Sequence, residues 1–246
     1  MAGIRYGVPL ILGRLAATFF FLFSTPALAQ QPAPAEVDLE LVLLADASGS
    51  IDDAEIRFQR QGYATALTHP AVLRAIASGL TGRIALTYVE WGDAESQEVV
   101  VPWTVIDGLE SAAAFANALL ETPRRAYGFN AIGSALATAL ALIEGNGITG
   151  LRRVIDISAD SANNWGGVPI EVARAAAFER GVTINGLAIL CRDEACGGRP
   201  IAYDLEQAFA TEIVGGPGGF VVTVDGRDSF AAAVRRKLIL EIALRR

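Results

Sequence analysis

The 246-residue sequence has little of what most metal and nucleophilic enzymes depend on: it contains one histidine, His69, and two cysteines. A zinc site on Cys191 and Cys196 would need two further Cys or His ligands, and only His69 is available. A Ser-His-Asp triad would have to use the same histidine, and no Gly-x-Ser-x-Gly elbow accompanies it. We therefore expect no enzyme activity, and a metal-dependent hydrolase is the weaker alternative.

The N-terminal apolar run, residues 15–23, is short for a membrane span, which needs about 20 residues. Arg5 and Arg14 precede this apolar run and give the chain a positive start, and Ala27-Leu28-Ala29 follows the run as a small-x-small cleavage site. This layout is typical of a secretory signal peptide, although a buried helix or an uncleaved anchor is the alternative.

Three segments are predicted from these signals. They are a signal peptide over residues 1–29, a Pro/Ala-rich linker over residues 30–36 and one domain over residues 37–246. The mature chain is expected to be exported, either periplasmic or secreted, with no stable membrane insertion after cleavage.

Cys191 and Cys196 are separated by four residues, and in an exported protein such a pair predicts a disulfide. The closed loop is short, so the expected entropic gain in stability is modest. We expect the bridge to hold an exposed loop that follows a strand.

Acidic residues outnumber basic ones, 27 against 20, which gives a formal net charge of −7. Removing residues 1–29 takes away two arginines and no acids, so the mature chain would carry 18 basic and 27 acidic residues, a net charge of −9. An acidic surface repels phosphate backbones, so nucleic acid is not an expected partner.

Apolar runs alternate with helical patterns along the mature chain, which predicts an α/β fold. We expect a doubly wound, mostly parallel central sheet with helices on both faces and one antiparallel edge strand. Strands are predicted at residues 39–45, 83–91, 98–105, 153–158, 182–190 and 219–224, and helices at 53–68, 71–78, 111–120 (capped by Ser111), 131–144, 170–180, 204–213 and 229–243.

Oxygen-bearing side chains follow two of the predicted strands. The first strand ends in Asp46-Ala47-Ser48-Gly49-Ser50, and Asp160 comes at the end of a later apolar strand. Ligands of open α/β sheets bind beyond the carboxyl ends of the strands. Two carboxylates there would repel each other without a cation, and carboxylates with hydroxyls suit magnesium, manganese or calcium.

A third polar position precedes the helix at 131–144. Asn130 stands there as a predicted N-cap, and its amide oxygen is a further candidate ligand.

These residues resemble the metal-ion-dependent adhesion site of von Willebrand factor A domains. The Asp-x-Ser-x-Ser motif matches at Asp46, Ser48 and Ser50, Asn130 stands where the family has a threonine, and Asp160 corresponds to the later aspartate. The sequence looks closest to a group of exported bacterial A-domain proteins for which the resemblance implies a fold and a site, but no task.

The resemblance implies a divalent cation, Mg²⁺ before Mn²⁺ or Ca²⁺, and a protein partner that offers an acidic residue to the ion. An adhesion-type binding module without bond chemistry is therefore the expected function. The change from threonine to Asn130 leaves one ligand open, so the alternative is a scaffold domain with a degenerate, non-binding site.

Two other residues have open interpretations. Asp156 lies inside an apolar strand and is expected to bond to local backbone or to a buried arginine. Trp165 follows the Asp160 strand and is either an exposed partner contact or an aromatic packed on the top of the sheet.

Overall fold

The structure is a computed structural model, and it describes Met1, Gly3 and residues 35–190 and 203–243. Contacts divide the chain into residues 1–33 and 34–246, and every element described here lies in the second part. The predicted signal peptide, most of the predicted linker and the predicted Cys191–Cys196 disulfide lie outside the described residues and stay predictions. In the described ranges, no helix has the length and apolarity needed to cross a bilayer.

Strands and helices alternate along the chain, as predicted. The strands are β1 (Glu36–Val37), β2 (Leu39–Asp46), β3 (Ile84–Trp91), β4 (Gln97–Ile106), β5 (Thr149–Gly150), β6 (Arg153–Ala159), β7 (Thr183–Ile189) and β8 (Val221–Val224). The helices are α1 (Asp53–Leu67), α2 (Pro70–Ala77), α3 (Leu109–Glu121), α4 (Ile132–Glu144), α5 (Ile170–Glu179), α6 (Leu205–Ala208), which continues as a π-helical turn over Phe209–Ile213, and α7 (Arg227–Ala243).

Six strands form the central sheet in the order β4-β3-β2-β6-β7-β8. All neighbours are parallel except β3 and β4, which form an antiparallel hairpin at one edge. The predicted fold class, including its single antiparallel edge strand, is therefore confirmed. The sheet positions β2 at its centre, between β3 and β6, so the loops that follow β2 and β6 lie side by side.

Helices cover both faces of the sheet, which explains why β2 is apolar on both faces and wholly buried. One core lies beneath α1, α2, α3 and α7, and includes Tyr63, Phe115 and Phe230. The other lies beneath α4 and α5, and includes Leu136 and Phe209. Burying each such side chain stabilises the fold by about 1.5–3 kcal/mol.

Local predictions were wrong at two helix starts, and one short strand pairing was not predicted. Ser111 lies inside α3, where its hydroxyl accepts hydrogen bonds from the backbone N–H groups of Asp107 and Gly108. Asn130 is not the N-cap of α4, because Ala131 holds that position. The two-residue strands β1 and β5 pair in parallel, so Glu36 belongs to a strand and not to a linker.

Asp156 has a different partner from either of those expected. Its Oδ1 lies 2.5 Å from Nζ of Lys237 on α7, and this ammonium also lies 2.5 Å from Oε1 of Glu241. All three side chains are at most 1% exposed. Burial and the nearby Glu241 carboxylate raise the pKa of Asp156 to about 7. The sequence analysis missed this buried ion triad because Lys237 is 81 positions away in the chain.

Candidate metal centre

The loop after β2 folds around the carboxylate of Asp46. Its Oδ1 accepts a 2.8 Å hydrogen bond from the backbone N–H of Ser48, and the hydroxyl oxygens of Ser48 and Ser50 lie 3.4 Å apart. Asp46 and Ser48 are fully buried, whereas Ser50 is exposed. The Asp-x-Ser-x-Ser spacing therefore brings three oxygen-bearing side chains to one small turn, open to solvent on the Ser50 side.

Asp160 reaches the same turn from the neighbouring strand. Ala45 of β2 pairs with Ser158 of β6, so both strands end at the same edge of the sheet. The side chains of Ser50 and Asp46 lie near enough to the carboxylate of Asp160 to influence its pKa. The structure thus brings Asp46, Ser48, Ser50 and Asp160 together, as the sequence analysis expected from strand order.

The two carboxylates perturb each other because they share a site with little water. Burial, followed by the charge of Asp160, raises the pKa of Asp46 to about 7. Burial also raises the pKa of Asp160. The Oδ1 atom of Asp160 is buried and has no hydrogen-bond partner. A buried acceptor of this kind is costly unless something satisfies it, and a cation would do so.

Asn130 joins the cluster through its amide nitrogen. Its Nδ2 donates to Oδ2 of Asp46 at 3.4 Å and to the hydroxyl of Ser161 at 3.0 Å. The amide nitrogen of Asn130 thus faces the Asp46 carboxylate. An oxygen of Asn130 that bound a cation would have to occupy the same position. Because the amide oxygen and nitrogen have nearly the same shape, rotating the amide by half a turn would present the oxygen instead.

Arg124 is the residue of the site that the sequence analysis missed. Its guanidinium donates to the carbonyl oxygens of Ala47 (2.6 Å) and Ile51 (2.9 Å), and to the carboxylate of Asp53 (3.0 Å). It also lies over the ring of Tyr127, 4.6 Å from its centroid. No local motif announces this role, since Arg124 lies more than 70 positions after the loop that it holds.

A backbone hydrogen bond ties the same two loops together. The N–H of Gly49 donates to the carbonyl of Gly128 at 2.8 Å. Gly128 has φ of 101°, and a side chain there would collide with Asp93. Glycine is therefore required at this crossing, and Asn130 is held two residues beyond it.

We expect Arg124→Ala to loosen the Asp46 loop without removing a candidate ligand. Loss of the guanidinium leaves the carbonyls of Ala47 and Ile51 without their donor, at a cost of about 1–3 kcal/mol. Amide hydrogen exchange at Gly49 and Ile51 should then rise by about tenfold or more, read by NMR in EDTA. Arg125→Ala, which removes an exposed arginine, is the control, and equal exchange in both variants would contradict the assignment.

The candidate ligands of this site are two carboxylates, two serine hydroxyls and the amide of Asn130. In the part of the chain that the structure describes, no group of three or more His, Cys, Asp or Glu residues could hold a metal. The cluster therefore differs from carboxylate-rich or histidine-rich hydrolytic centres. Two carboxylates and two hydroxyls instead fit a hard divalent cation held with open positions, to be filled by water or by a partner's oxygen.

Comparison with known proteins gives a family match and a shared fold. A family model described as protein of unknown function (DUF1194) matches residues 36–246. The sequence matches none of the curated proteins with which it was compared.

Several solved structures have the same fold. They include proximal thread matrix protein 1 of the mussel byssus with a zinc-occupied MIDAS motif (TM-score 0.61, 16% identity, 85% of this chain and 49% of that chain). A second match is the pilus adhesin SpaC of Lactobacillus rhamnosus GG, with a TM-score of 0.54 and 13% identity over 87% of this chain and 30% of that chain. A third is the vWF domain of the type V pili tip protein Mfa5 of Porphyromonas gingivalis, with a TM-score of 0.53 and 11% identity over 85% of this chain and 97% of that chain.

These likenesses establish the fold. The chain has the von Willebrand factor A fold that its motif predicted. It spans about half the length of the mussel protein and less than a third of the pilus adhesin.

Proposed function

The chain belongs to the family described as protein of unknown function (DUF1194), and we propose that within it this protein is an exported, adhesion-type binding module. A divalent cation, Mg²⁺ in the first place, would be held by Asp46, Ser48, Ser50 and Asp160. The ion would bridge the module to an acidic side chain of a protein partner. No bond is made or broken in this function.

The observation that carries the proposal is the convergence of the buried Asp46 carboxylate and the partly buried Asp160 carboxylate with two serine hydroxyls at one edge of the sheet. The charge of Asp160 raises the pKa of the buried Asp46 carboxylate, so the charged form of Asp46 is costly beside it. A cation would remove that cost and would satisfy the unpartnered Oδ1 of Asp160. The exposed Ser50 leaves one side of the site open, where a partner's carboxylate could complete the coordination.

The matched structures support this proposal by their descriptions. One is described with a zinc-occupied MIDAS motif, and two others are a pilus adhesin and the domain of a pilus tip protein. Magnesium, manganese or calcium remains our expectation here, because the donor set contains no nitrogen or sulfur ligand in its present arrangement.

Titration calorimetry of the EDTA-treated, dialysed protein with Mg²⁺, Mn²⁺ and Ca²⁺ tests the proposal. We expect saturable binding to wild type at one site, and a loss of about 100-fold or more in affinity with Asp46→Ala, which removes a charged ligand. Asp107→Ala, which removes an exposed acid on the loop before α3, is the control and should bind as wild type does. Absence of binding by all three ions would refute the metal site and favour the degenerate scaffold.

Asn130 decides how strong the site is. In its present orientation the Asn130 amide donates to Asp46, and this contact must be broken before the oxygen can coordinate an ion. Asn130→Thr should therefore bind Mg²⁺ more tightly than wild type, because a hydroxyl oxygen would replace the amide. Unchanged affinity in this variant would mean that residue 130 is outside the coordination shell.

Capture of a partner tests the bridging role separately. The immobilised wild-type protein should retain its partner from an envelope extract of the exporting cell, and EDTA should release that partner. Immobilised Asp46→Ala should not retain it. Retention that survives both treatments would reject the bridging ion while leaving a binding module.

A further inference from the structure

Four exposed aromatic side chains lie on segments that adjoin the candidate metal centre. They are Tyr127, Phe129, Trp165 and Tyr203, with exposed fractions of 53%, 76%, 72% and 43%, and they are here called the aromatic rim. Trp165 is thus exposed, and its packing on the sheet top, one of the two interpretations from sequence, is wrong.

Short backbone links place the aromatic rim at the metal centre. Phe129 precedes Asn130 directly, and the N–H of Trp165 donates to the carbonyl of Asn130 at 2.8 Å. The hydroxyl of Tyr203 accepts a hydrogen bond of 2.9 Å from the N–H of Ala162, two residues after Asp160. Exposed aromatic groups gathered in this way are typical of surfaces that receive a partner.

A groove of about 620 Å³ runs beside Trp165. We call it the Trp165 groove; Gly166, Gly167 and Pro169 line it next to the indole, and Glu171, Arg174, Thr211 and Glu212 also line it. Within the described residues, the exposed carboxylates of Glu171 and Glu212 make no ion pair. The groove therefore combines an exposed indole with two unpaired negative charges.

Among the lining residues that the structure describes, the cation is Arg174, and its guanidinium is committed to other groups. Its guanidinium donates to the carbonyl oxygens of Thr211 at 3.0 Å and Val214 at 2.7 Å. It also lies over the ring of Phe178, 5.2 Å from the centroid. Arg174 lowers the negative charge of the groove, but within the described lining two carboxylates stand against this one cation.

An indole face beside two carboxylates is complementary to a cation. The ring attracts positive charge through its quadrupole, and the carboxylates accept hydrogen bonds from an ammonium or a guanidinium. We propose that the Trp165 groove receives a basic side chain, Arg or Lys, of the protein partner. The inference rests on the proposed binding function, and it adds the chemistry of a second contact beside the ion.

The test uses the full chain and a defined probe, Nα-acetyl-L-arginine amide, followed by NMR of the tryptophan indole N–H signals. Trp91 is buried and Trp103 donates its indole N–H to the carbonyl of Leu142, so Trp165 is the solvent-exposed reporter. Trp165→Phe assigns its signal by loss. The neutral isostere Nα-acetyl-L-citrulline amide and methyl N-acetyl-β-glucosaminide are titrated in parallel, to about 50 mM, in EDTA and in Mg²⁺.

We expect the arginine amide to shift the Trp165 signal in a saturable manner, with the citrulline amide binding about fivefold or more weakly. The double variant Glu171→Gln/Glu212→Gln should lose that preference. Glu110→Gln/Glu121→Gln, with the same change of net charge on two exposed residues of α3, should keep it.

Three outcomes would overturn the inference: equal binding of the two amides, no shift with the arginine amide, or a shift with the glucosaminide alone. The last would assign the groove to a glycan. Because the measurement is made with and without an ion, it can fail while Mg²⁺ still binds, and it can succeed when Mg²⁺ does not.

Discussion

Asp46→Asn should unfold at a higher temperature than wild type in EDTA and should no longer be stabilised by Mg²⁺. The asparagine keeps the acceptor for the N–H of Ser48, but removes a buried carboxylate whose charged form is disfavoured by burial and by the charge of Asp160. The gain in unfolding free energy of the metal-free protein should be roughly 4 kcal/mol at pH 8, from the raised pKa of Asp46. Thermal unfolding by circular dichroism, with and without Mg²⁺, measures both effects.

The pH dependence of this gain has a definite sign. Because the pKa of Asp46 is raised from 3.8 to about 7 in the folded state, the folded wild type binds more protons than the unfolded chain between those values. Its stability therefore falls as the pH rises from about 4 to 7. The advantage of Asp46→Asn should be largest above pH 7 and should shrink towards pH 4.

A wild type that is more stable than Asp46→Asn at pH 8 in EDTA would contradict this account of the site. It would mean that the two carboxylates are already neutralised by protein groups. The candidate metal centre would then have no electrostatic reason to hold an ion.

Lys237→Met should destabilise the protein by about 3–5 kcal/mol, because it leaves the carboxylates of Asp156 and Glu241 buried without their cation. The Nζ of Lys237 also lies 5.5 Å from the centroid of the Phe220 ring, a contact that the variant loses. Urea denaturation at pH 7.5 gives the change in unfolding free energy. The loss should be smaller at pH 5, which lies below the raised pKa of Asp156, so that this carboxyl group is neutral.

Two variants serve as controls for Lys237→Met. Arg236→Met removes an exposed cation from the adjacent position of α7 and should change the free energy by less than about 0.5 kcal/mol. The triple variant Asp156→Asn/Lys237→Met/Glu241→Gln removes all three charges and should recover most of the loss. A Lys237→Met protein as stable as Arg236→Met would show that the triad is not held as an ion pair.

Much of the site could be predicted from sequence because its elements are local. Asp46, Ser48 and Ser50 lie within five residues, and an Asp-x-Ser-x-Ser turn after a buried strand has few other interpretations. Asp160 could be added because carboxyl ends of parallel strands meet at one edge. Arg124 could not, since an arginine in a loop between two helices has no local pattern that reveals which carbonyls it contacts.

Chain order and side-chain chemistry alone determined the α/β class, the antiparallel edge strand and the four oxygen-bearing residues expected at one edge of the sheet, and the resemblance of the Asp-x-Ser-x-Ser motif implied the von Willebrand factor A fold. The α/β class, the edge strand and the four site residues follow from periodicity, short-range spacing and strand order, which the sequence displays directly. The tertiary structure alone decided that Ala131 and not Asn130 caps α4, that Lys237 pairs with Asp156, and that the aromatic rim and the Trp165 groove border the site. Each of these features depends on which distant segments pack together, and that packing depends on the complete tertiary structure.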